Sequence, residues 1–422
     1  MIPSWKDTNV DEFTSHKWQI KETIKDIPNL SVFLESVLPA RIPPQRDMDV
    51  WLRVAGIETR ENLIVIKICL SPHVLSIIDW SDPLNDPIRR QVLPLPLPLH
   101  EDHPKAVLDK MYEAEYSPIE GLICRYPDCA SLIATSNCSV FCRFCLRSCT
   151  VSTETETAKE MRYLPIRNRW RPQFDYIAQD HLLKDIIVTG GDTYSLTPSQ
   201  LKHIGEALLD IPHVRRVRFE TKGLGASPSR LIDRDDRWVD TVFELHNKAQ
   251  AACKHICIMT YFNHPKEVTW VTRQGARRLY ESGVTVRNQS MLMNWVNNNI
   301  VTMTALVNAS GNINIQPYYV CQGDFIPGME DLRTPLRDGL DLEYHLRGTT
   351  TGFLTPNFVV GLPGQGGKRL ISSWESYDKR IGLSKFMAPG LKGKPIMTQY
   401  WDPLWSLTPA AKAEVLTMYG KR

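Results

Sequence analysis

The pattern of hydrophobic and polar positions changes character near residue 116. Upstream, the two kinds mix with the spacing of short amphipathic helices. Residues 13–27 contain neither Pro nor Gly before Ile27, and residues 49–75 continue in short pieces, so residues 1–115 read as a largely helical region. It closes on residues 91–100, where prolines alternate with leucines. Proline supplies no backbone donor, so this stretch is expected to be an extended surface connector. Downstream, short apolar runs alternate with longer amphipathic ones. Runs at 131–134, 185–189, 214–220, 256–262, 284–289 and 313–320 have the length of strands, and helical periods fall at 197–209, 238–252 and 269–282. Strands alternating with helices predict parallel βαβ units. Six units are too few for a closed eight-unit barrel, so the expected fold is α/β, a partial (β/α)6 barrel over residues 116–345. A further strand at 357–360 leads into Gly361-Leu-Pro-Gly-Gln-Gly-Gly-Lys368 within a C-terminal segment, residues 346–422.

In parallel barrels the chemistry gathers on the loops after the strands. Polar motifs stand there: Ser136-Asn137-Cys138 after the first run, Gly190-Gly191-Asp192 after the second, Asn288-Gln289 at the fifth and Gln322-Gly323-Asp324 after the sixth. Composition narrows the classes. The chain has 422 residues, 42% of them hydrophobic, enough for a substantial core. A net charge of +3 spread over this length does not describe a nucleic-acid surface. No apolar run is long enough for a membrane span. Residues 1–7 show no basic segment followed by an apolar one, so a cytoplasmic protein is expected.

Ten cysteines are present, six of them between Cys124 and Cys149. In a chain of this size without a secretory signal, clustered thiols point to metal or redox chemistry. Cys138, Cys142 and Cys145 have the spacing C-x3-C-x2-C. Three thiolates on one loop can hold three irons of a four-iron cluster, leaving the fourth iron open, and a metal site that takes part in chemistry keeps an open position. A structural zinc site is the competing reading, because Cys149 could complete a set of four thiolates, although closed zinc sites usually draw on two separated pairs. Taken alone, Gly190-Gly191-Asp192 reads as a tight turn.

This cysteine spacing, directly after the first predicted strand, resembles the signature of radical S-adenosylmethionine (AdoMet) enzymes. The chain is similar to one branch of them, the lysine 2,3-aminomutase family, which also binds pyridoxal 5′-phosphate (PLP). The likeness runs through Trp18-Gln19, Asp86-Pro87-Ile-Arg-Arg-Gln91, Arg125-Tyr126-Pro127-Asp128, the cysteine motif, Gly190-Gly191-Asp192, Asn263-His264-Pro265, Asn288-Gln289-Ser290, Pro317-Tyr318-Tyr319, Arg333-Thr334-Pro335, Leu346-Arg347-Gly348 and Pro363-Gly-Gln-Gly-Gly-Lys368. The resemblance implies a [4Fe-4S] cluster on Cys138, Cys142 and Cys145, with AdoMet on the open iron and its amino group held at Gly190, Gly191 and Asp192. It implies Gln289 among the cofactor contacts and Arg125 on the PLP phosphate. Lys368 is similar to the lysine that joins PLP through an imine. Glycines let the backbone approach a cofactor closely, and a partly buried lysine loses its charge and becomes nucleophilic. Arg147 resembles the arginine that grips the substrate carboxylate, a task suited to a planar fork of donors. Asp324 resembles an acid that binds the distal cation of the substrate.

The reaction implied moves the α-amino group of a free amino acid to its β-carbon, with an electron donor such as flavodoxin or ferredoxin and a homo-oligomeric assembly. Alternatives are deamination or dehydrogenation at the same carbon, or a metal-binding module without turnover. The chain also departs from the family pattern. Gly361 stands where lysine-specific members carry Asp, Cys129 where a second phosphate arginine is expected, and Phe144 where a histidine is common. C-terminal cysteines that bind zinc in some members are absent, the last cysteine being Cys321. With Asp324 kept and Gly361 adding room, the expected substrate is arginine, then ornithine or another basic amino acid, rather than lysine.

Overall fold

Strand alternation sorts the side chains of the predicted runs onto two faces, and the two faces have different partners. The computed structural model describes residues 2–38, 41–42, 46–47, 68–93, 100–148, 167–391 and 393–419. After a two-residue hairpin, β1 (Arg41–Ile42) and β2 (Arg46–Asp47), come the nine strands of one sheet. They are β3 (Leu122–Tyr126), β4 (Cys129–Thr135), β5 (Asp185–Gly190), β6 (Arg216–Thr221), β7 (His255–Thr260), β8 (Thr285–Met291), β9 (Gln316–Cys321), β10 (Asn357–Leu362) and β11 (Gly367–Leu370). They lie in sequence order across the sheet. β4 to β10 are parallel, while β3 and β11 are antiparallel edges.

The outward set, including Leu132, Val188, Val217, Phe219, Ile258 and Val286, is buried in one apolar cluster with the crossover helices. Each such side chain contributes about 1.5–3 kcal/mol relative to exposure. The inward set is mixed: Ser131, Ile187, Thr189, Glu220, Gln289 and Cys321 line an internal cavity. The sheet is open, but its edges approach through side chains. Arg125 of β3 donates to the carbonyl oxygens of Leu362 and Gly364 at 2.6 and 2.7 Å. The Lys368 N–H of β11 donates to Tyr126 Oη at 3.1 Å. The result is the expected partial barrel, with the predicted strands and helices shifted by a few residues at most.

The N-terminal region differs from expectation. The stretch 13–27 is not one helix but α1 (Val10–Thr14) and α2 (His16–Lys21), because Ser15 takes an extended backbone and caps the second. α3 (Ile27–Val37), α4 (Pro72–Ser76) and α5 (Pro87–Val92) follow. Residues 48–67 and most of the proline-rich stretch lie outside the described residues, and residues 91–92 end α5 instead of starting a connector. Leu30, Phe33, Leu75 and Ile88 form a second small core with Val140 and Ala226, so this region packs onto the loop after β4.

The crossover helices are α6 (Arg171–Gln179), α7 (Pro198–Asp210), α8 (Gly223–Ala226), α9 (Ser229–Ile232), α10 (Trp238–Ala251), α11 (Trp270–Glu281), α12 (Ile300–Gly311) and α13 (Leu336–Thr349). Thr197 starts α7 through a reciprocal capping box with Gln200. The C-terminal segment adds what the sequence did not announce: an antiparallel sheet of β12 (Ser376–Asp378), β13 (Leu383–Ala388) and β14 (Ile396–Trp401), then α14 (Pro409–Tyr419). Among the described residues no helix is long and apolar enough to cross a membrane.

Candidate active site

The inward faces of the strands and the loops beyond their C-terminal ends enclose a cavity of about 330 Å³. Every site residue singled out in the sequence lines it: Cys138, Cys142 and Cys145, the Gly190-Gly191-Asp192 turn, Arg125, Arg147, Gln289, Asp324 and Lys368.

The three cysteines sit on the loop after β4. The Cys145 N–H donates to the Cys142 carbonyl at 3.2 Å, which curls the loop. Arg143, between two of the cysteines, is forked onto Asp331, Nη2 to Oδ1 at 2.9 Å and Nη1 to Oδ2 at 3.2 Å, and its backbone N–H donates to the Gln91 carbonyl at 2.9 Å. Burial is the main reason that all three thiols are pushed up, Cys142 to about 12; neighbouring thiolates add to it at Cys138 and Cys142, while Arg147 opposes it at Cys145. Thiols that disfavour ionisation in one another's company fit a cationic iron centre, which would offset that repulsion. A cluster needs one thiolate for each bound iron. Among the described residues no three His, Cys, Asp or Glu side chains are placed to share a single metal ion, and Cys149 lies outside them. Cys69, which no spacing argument singles out, directs its thiol at the carbonyls of Cys138 and Ser139, at 3.7 and 3.5 Å.

The Gly-Gly-Asp turn is locked against the same loop. The N–H groups of Gly191 and Asp192 donate to the carbonyls of Thr135 and Asn137 at 2.6 and 2.7 Å. A Cβ at Gly190, where φ is +125°, would lie 2.3 Å from Thr135 O, and one at Gly191 would lie 2.0 Å from Asn137 O. Asp192 accepts from Ser139 Oγ at 2.7 Å and from the N–H groups of Tyr194 and Lys222 at 2.8 and 3.0 Å. Burial raises its pKa, and these donors oppose the rise. Asp192 therefore ties the cysteine loop to the loop after β6. Since the obstacle at Gly191 is backbone, Gly191→Ala should move Asn137, one residue before the first cysteine. A loss of about 3 kcal/mol, the upper part of the usual overpacking range, is expected in thermal unfolding, together with lower iron content. Wild-type melting and iron loading in that variant would contradict this geometry.

Lys368 lies on β11, the sheet edge opposite β3, in register with Gly361 across the β10–β11 hairpin. Its Nζ donates to Gln289 Oε1 at 3.3 Å and stands 4.7 Å from the Tyr319 ring centroid. An amine beside an aromatic ring, on a hairpin whose Gly367 has φ +68°, fits a flat aldehyde cofactor such as PLP. Arg125 is directed at the turn before Lys368, as described above. Cys129 does not leave its place without an arginine: Arg218, from β6, brings Nη2 to 3.3 Å from its sulfur. Arg218 is anchored by Asp185 at 2.8 Å.

Three expectations about the substrate end are revised by one segment, residues 107–117. Arg147 was read as presenting its fork to a substrate carboxylate, but Glu113 already occupies that fork, at 3.1 and 2.8 Å. Burial works against the Arg147 charge, yet Glu113 and Glu220 outweigh it and raise the pKa. Asp324 was read as an acid awaiting a distal cation, but it is ion-paired with Lys110, and both side chains are buried. Gly361 was read as opening space, but a Cβ there would lie 3.0 Å from Met111 Cε and 3.4 Å from Asp324 Oδ1. Lys110 lies 214 residues from Asp324, in a stretch whose pattern gave no sign of reaching the barrel mouth.

An open parallel barrel with three cysteines on the loop after its first parallel strand and a Gly-Gly-Asp turn after the next is the architecture of a radical AdoMet protein. The L-lysine 2,3-aminomutase of Clostridium subterminale is 30% identical over 422 residues, covering 99% of this chain and 90% of that protein. The chain belongs to the lysine 2,3-aminomutase family. The glutamate 2,3-aminomutase of Clostridioides difficile is 28% identical over 358 residues, 85% of this chain and 76% of that protein. Among solved structures, Streptococcus suis SuiB bound to S-adenosylmethionine aligns over 57% of this chain and 52% of its own, with a TM-score of 0.38 and 12% identity, a likeness too slight to define the fold. No family model matches the chain.

Proposed function

We propose that this protein is an amino acid 2,3-aminomutase, an isomerase that moves the α-amino group of a free amino acid to the β-carbon. One observation carries the reading: the wall of a single cavity includes both the three cysteines and Lys368. The general reaction is supported by relatives named for lysine and for glutamate. Cys138, Cys142 and Cys145 would hold a [4Fe-4S] cluster, the Gly190-Gly191-Asp192 turn would border AdoMet, and Lys368 with Arg125 would hold PLP. When bound, these groups supply one-electron chemistry at an unactivated carbon and a carrier for the migrating nitrogen. The chain's own residues do the positioning. Arg147 would take the α-carboxylate in exchange for Glu113, Gln289 holds the Lys368 amine, and Met111 and Glu113 form part of the cavity wall. An external donor such as flavodoxin or ferredoxin, and assembly of several copies, belong to the same proposal.

Arginine, the substrate expected from the sequence, required Asp324 to be available, and the Lys110 pair removes that support. The test is an anaerobic assay of the reconstituted protein against a panel of amino acids, read by mass spectrometry. A β-amino acid isomer supports the proposal. Loss of ammonia or of two hydrogens would favour the deaminase or dehydrogenase alternative.

The Glu113–Arg147 pair sets a further expectation. A substrate carboxylate must compete with Glu113 for the same guanidinium fork. Glu113→Gln removes the competing charge and should lower KM about tenfold, worth roughly 1.4 kcal/mol, with kcat little changed. A higher KM in that variant would show that Glu113 aims Arg147 instead of competing for it.

A further inference from the structure

Lys110 and Asp324 form a contact between two buried charges, with side chains 2% and 9% exposed. The ammonium also sits over the faces of Phe325 and Tyr400, 5.1 and 5.9 Å from their centroids. Cation–ring contacts of this kind strengthen as water is excluded. The segment that delivers Lys110 is anchored on both sides. The Val107 N–H donates to the Phe325 carbonyl at 3.1 Å. The Asp109 carboxylate accepts from the N–H groups of Glu113 and Ala114 at 2.8 and 3.1 Å. Tyr112 turns the chain with φ 53°, and its ring would lie 3.0 Å from a Cβ at Gly364, on the hairpin that carries Lys368. Lys110 is thus a built part of the barrel mouth.

The position of the pair matters. Asp324 Oδ1 lies 3.4 Å from the Cβ position of Gly361, and Gly361 is the register partner of Lys368. Asp324, which lines the cavity, therefore borders the space beside the amine that would hold PLP, with Lys110 buried against it. Of the other cations nearby, Arg333 is buried against Glu330 at 2.7 Å, and Arg125, directed at the Leu362 and Gly364 carbonyls, is the one the aminomutase reading gives to the PLP phosphate. A basic substrate would have to compete with Lys110 for Asp324 and leave a buried ammonium without its carboxylate. An acidic substrate would bring a second carboxylate toward Asp324.

We propose that Lys110 is a specificity-determining residue: by neutralising Asp324 it makes the distal end of the substrate site take a compact, uncharged side chain. Met111, whose methyl group faces Gly361, narrows the same end. This rests on the aminomutase reading for what the substrate is, and its test reads binding separately from turnover. The reconstituted protein, its Lys110→Met variant and the Lys110→Met/Asp324→Asn double variant are compared by equilibrium dialysis with labelled alanine, leucine, glutamate, lysine and arginine, and each is assayed for AdoMet cleavage and β-amino products.

In wild type, alanine or leucine should bind at least tenfold more tightly than lysine, arginine or glutamate. Lys110→Met bares the buried carboxylate and should shift the preference toward lysine or arginine by about tenfold or more. The double variant should return to the neutral preference. Tighter binding of lysine, arginine or glutamate to wild type overturns the proposal, as does an unchanged preference in Lys110→Met. If that variant does not fold, wild type and the double variant decide: a shared neutral preference supports the proposal, and a basic preference in wild type overturns it. Failure of the aminomutase reading shows elsewhere, as AdoMet cleavage with no β-amino product from any amino acid, while the binding order still reports on Lys110.

Discussion

An alanine at position 142 should leave the protein unable to assemble a cluster or to cleave AdoMet. Cys142 lines the cavity beside Cys138 and Cys145, but other residues shape the loop that carries it. Arg143 is forked onto Asp331, and the Gly-Gly-Asp turn bonds the backbone of Thr135 and Asn137. The substitution therefore removes the proposed ligand and leaves its frame. After anaerobic reconstitution, iron and sulfide should fall from about four of each per chain to near zero. Formation of 5′-deoxyadenosine should disappear with them. The melting temperature of the metal-free protein should change little. Cys138→Ala and Cys145→Ala should behave alike. Cys69→Ala is the informative control, because Cys69 touches the loop through carbonyl groups and lies outside the three-cysteine motif. That variant should keep its iron, and so should Cys149→Ala. If Cys149→Ala loses metal as completely as Cys142→Ala, and one zinc without sulfide is found in wild type, the four-thiolate module becomes the right description.

What could be read in the sequence was whatever repeats along it or lies close within it. β4 to β10 were legible because parallel strands covered by helices need short apolar runs between amphipathic ones, as Ile186-Ile187-Val188 and Ile256-Cys257-Ile258 show. The three cysteines and Lys368 were legible because each belongs to a short motif. The edge strands were not. β3 holds Arg125 and Tyr126, whose polar side chains reach across to the β10–β11 hairpin and break the apolar pattern expected of a strand. β12 to β14 form a separate antiparallel sheet whose residues alternate between buried and exposed over short lengths, as in Leu383–Ala388, so no continuous apolar run marks them. The role of residues 107–117 was hidden for another reason. Lys110, Met111 and Glu113 look like ordinary members of a polar connector, and their meaning comes from partners far away in the chain: Asp324, Gly361 and Arg147. The same applies to Arg218, two strands from Cys129, which places an arginine beside a position where the sequence shows none. Position-by-position comparison with a motif finds lost groups. It does not find groups supplied from another strand or loop.

Replacing Lys368 by alanine should separate the two halves of the chemistry. The lysine is exposed to the cavity at the end of a hairpin, and its Nζ has one hydrogen-bond partner among the described residues, Gln289 Oε1, together with the Tyr319 ring. The backbone N–H of residue 368 makes the bond to Tyr126 Oη, and alanine keeps it. The fold should therefore hold to within about 0.5 kcal/mol, the usual range for a surface substitution. The three cysteines belong to the loop after β4 and make no bond to Lys368, so iron loading and slow AdoMet cleavage should survive. Covalent attachment of PLP should not. Wild type incubated with PLP and reduced with borohydride should carry the cofactor on the peptide that contains Lys368, and Lys368→Ala should carry none. Formation of β-amino acid should drop by a factor of about a thousand or more, which corresponds to at least roughly 4 kcal/mol of lost transition-state stabilisation. Gln289→Ala should be milder, about tenfold, because it removes a single hydrogen bond to the amine, and one such bond contributes about 1 kcal/mol. Attachment of PLP to any other lysine would overturn the assignment of Lys368. A wild-type protein that takes up iron, cleaves AdoMet and never binds PLP would show that the barrel and its cysteines serve a different reaction, and it would leave the cluster assignment standing.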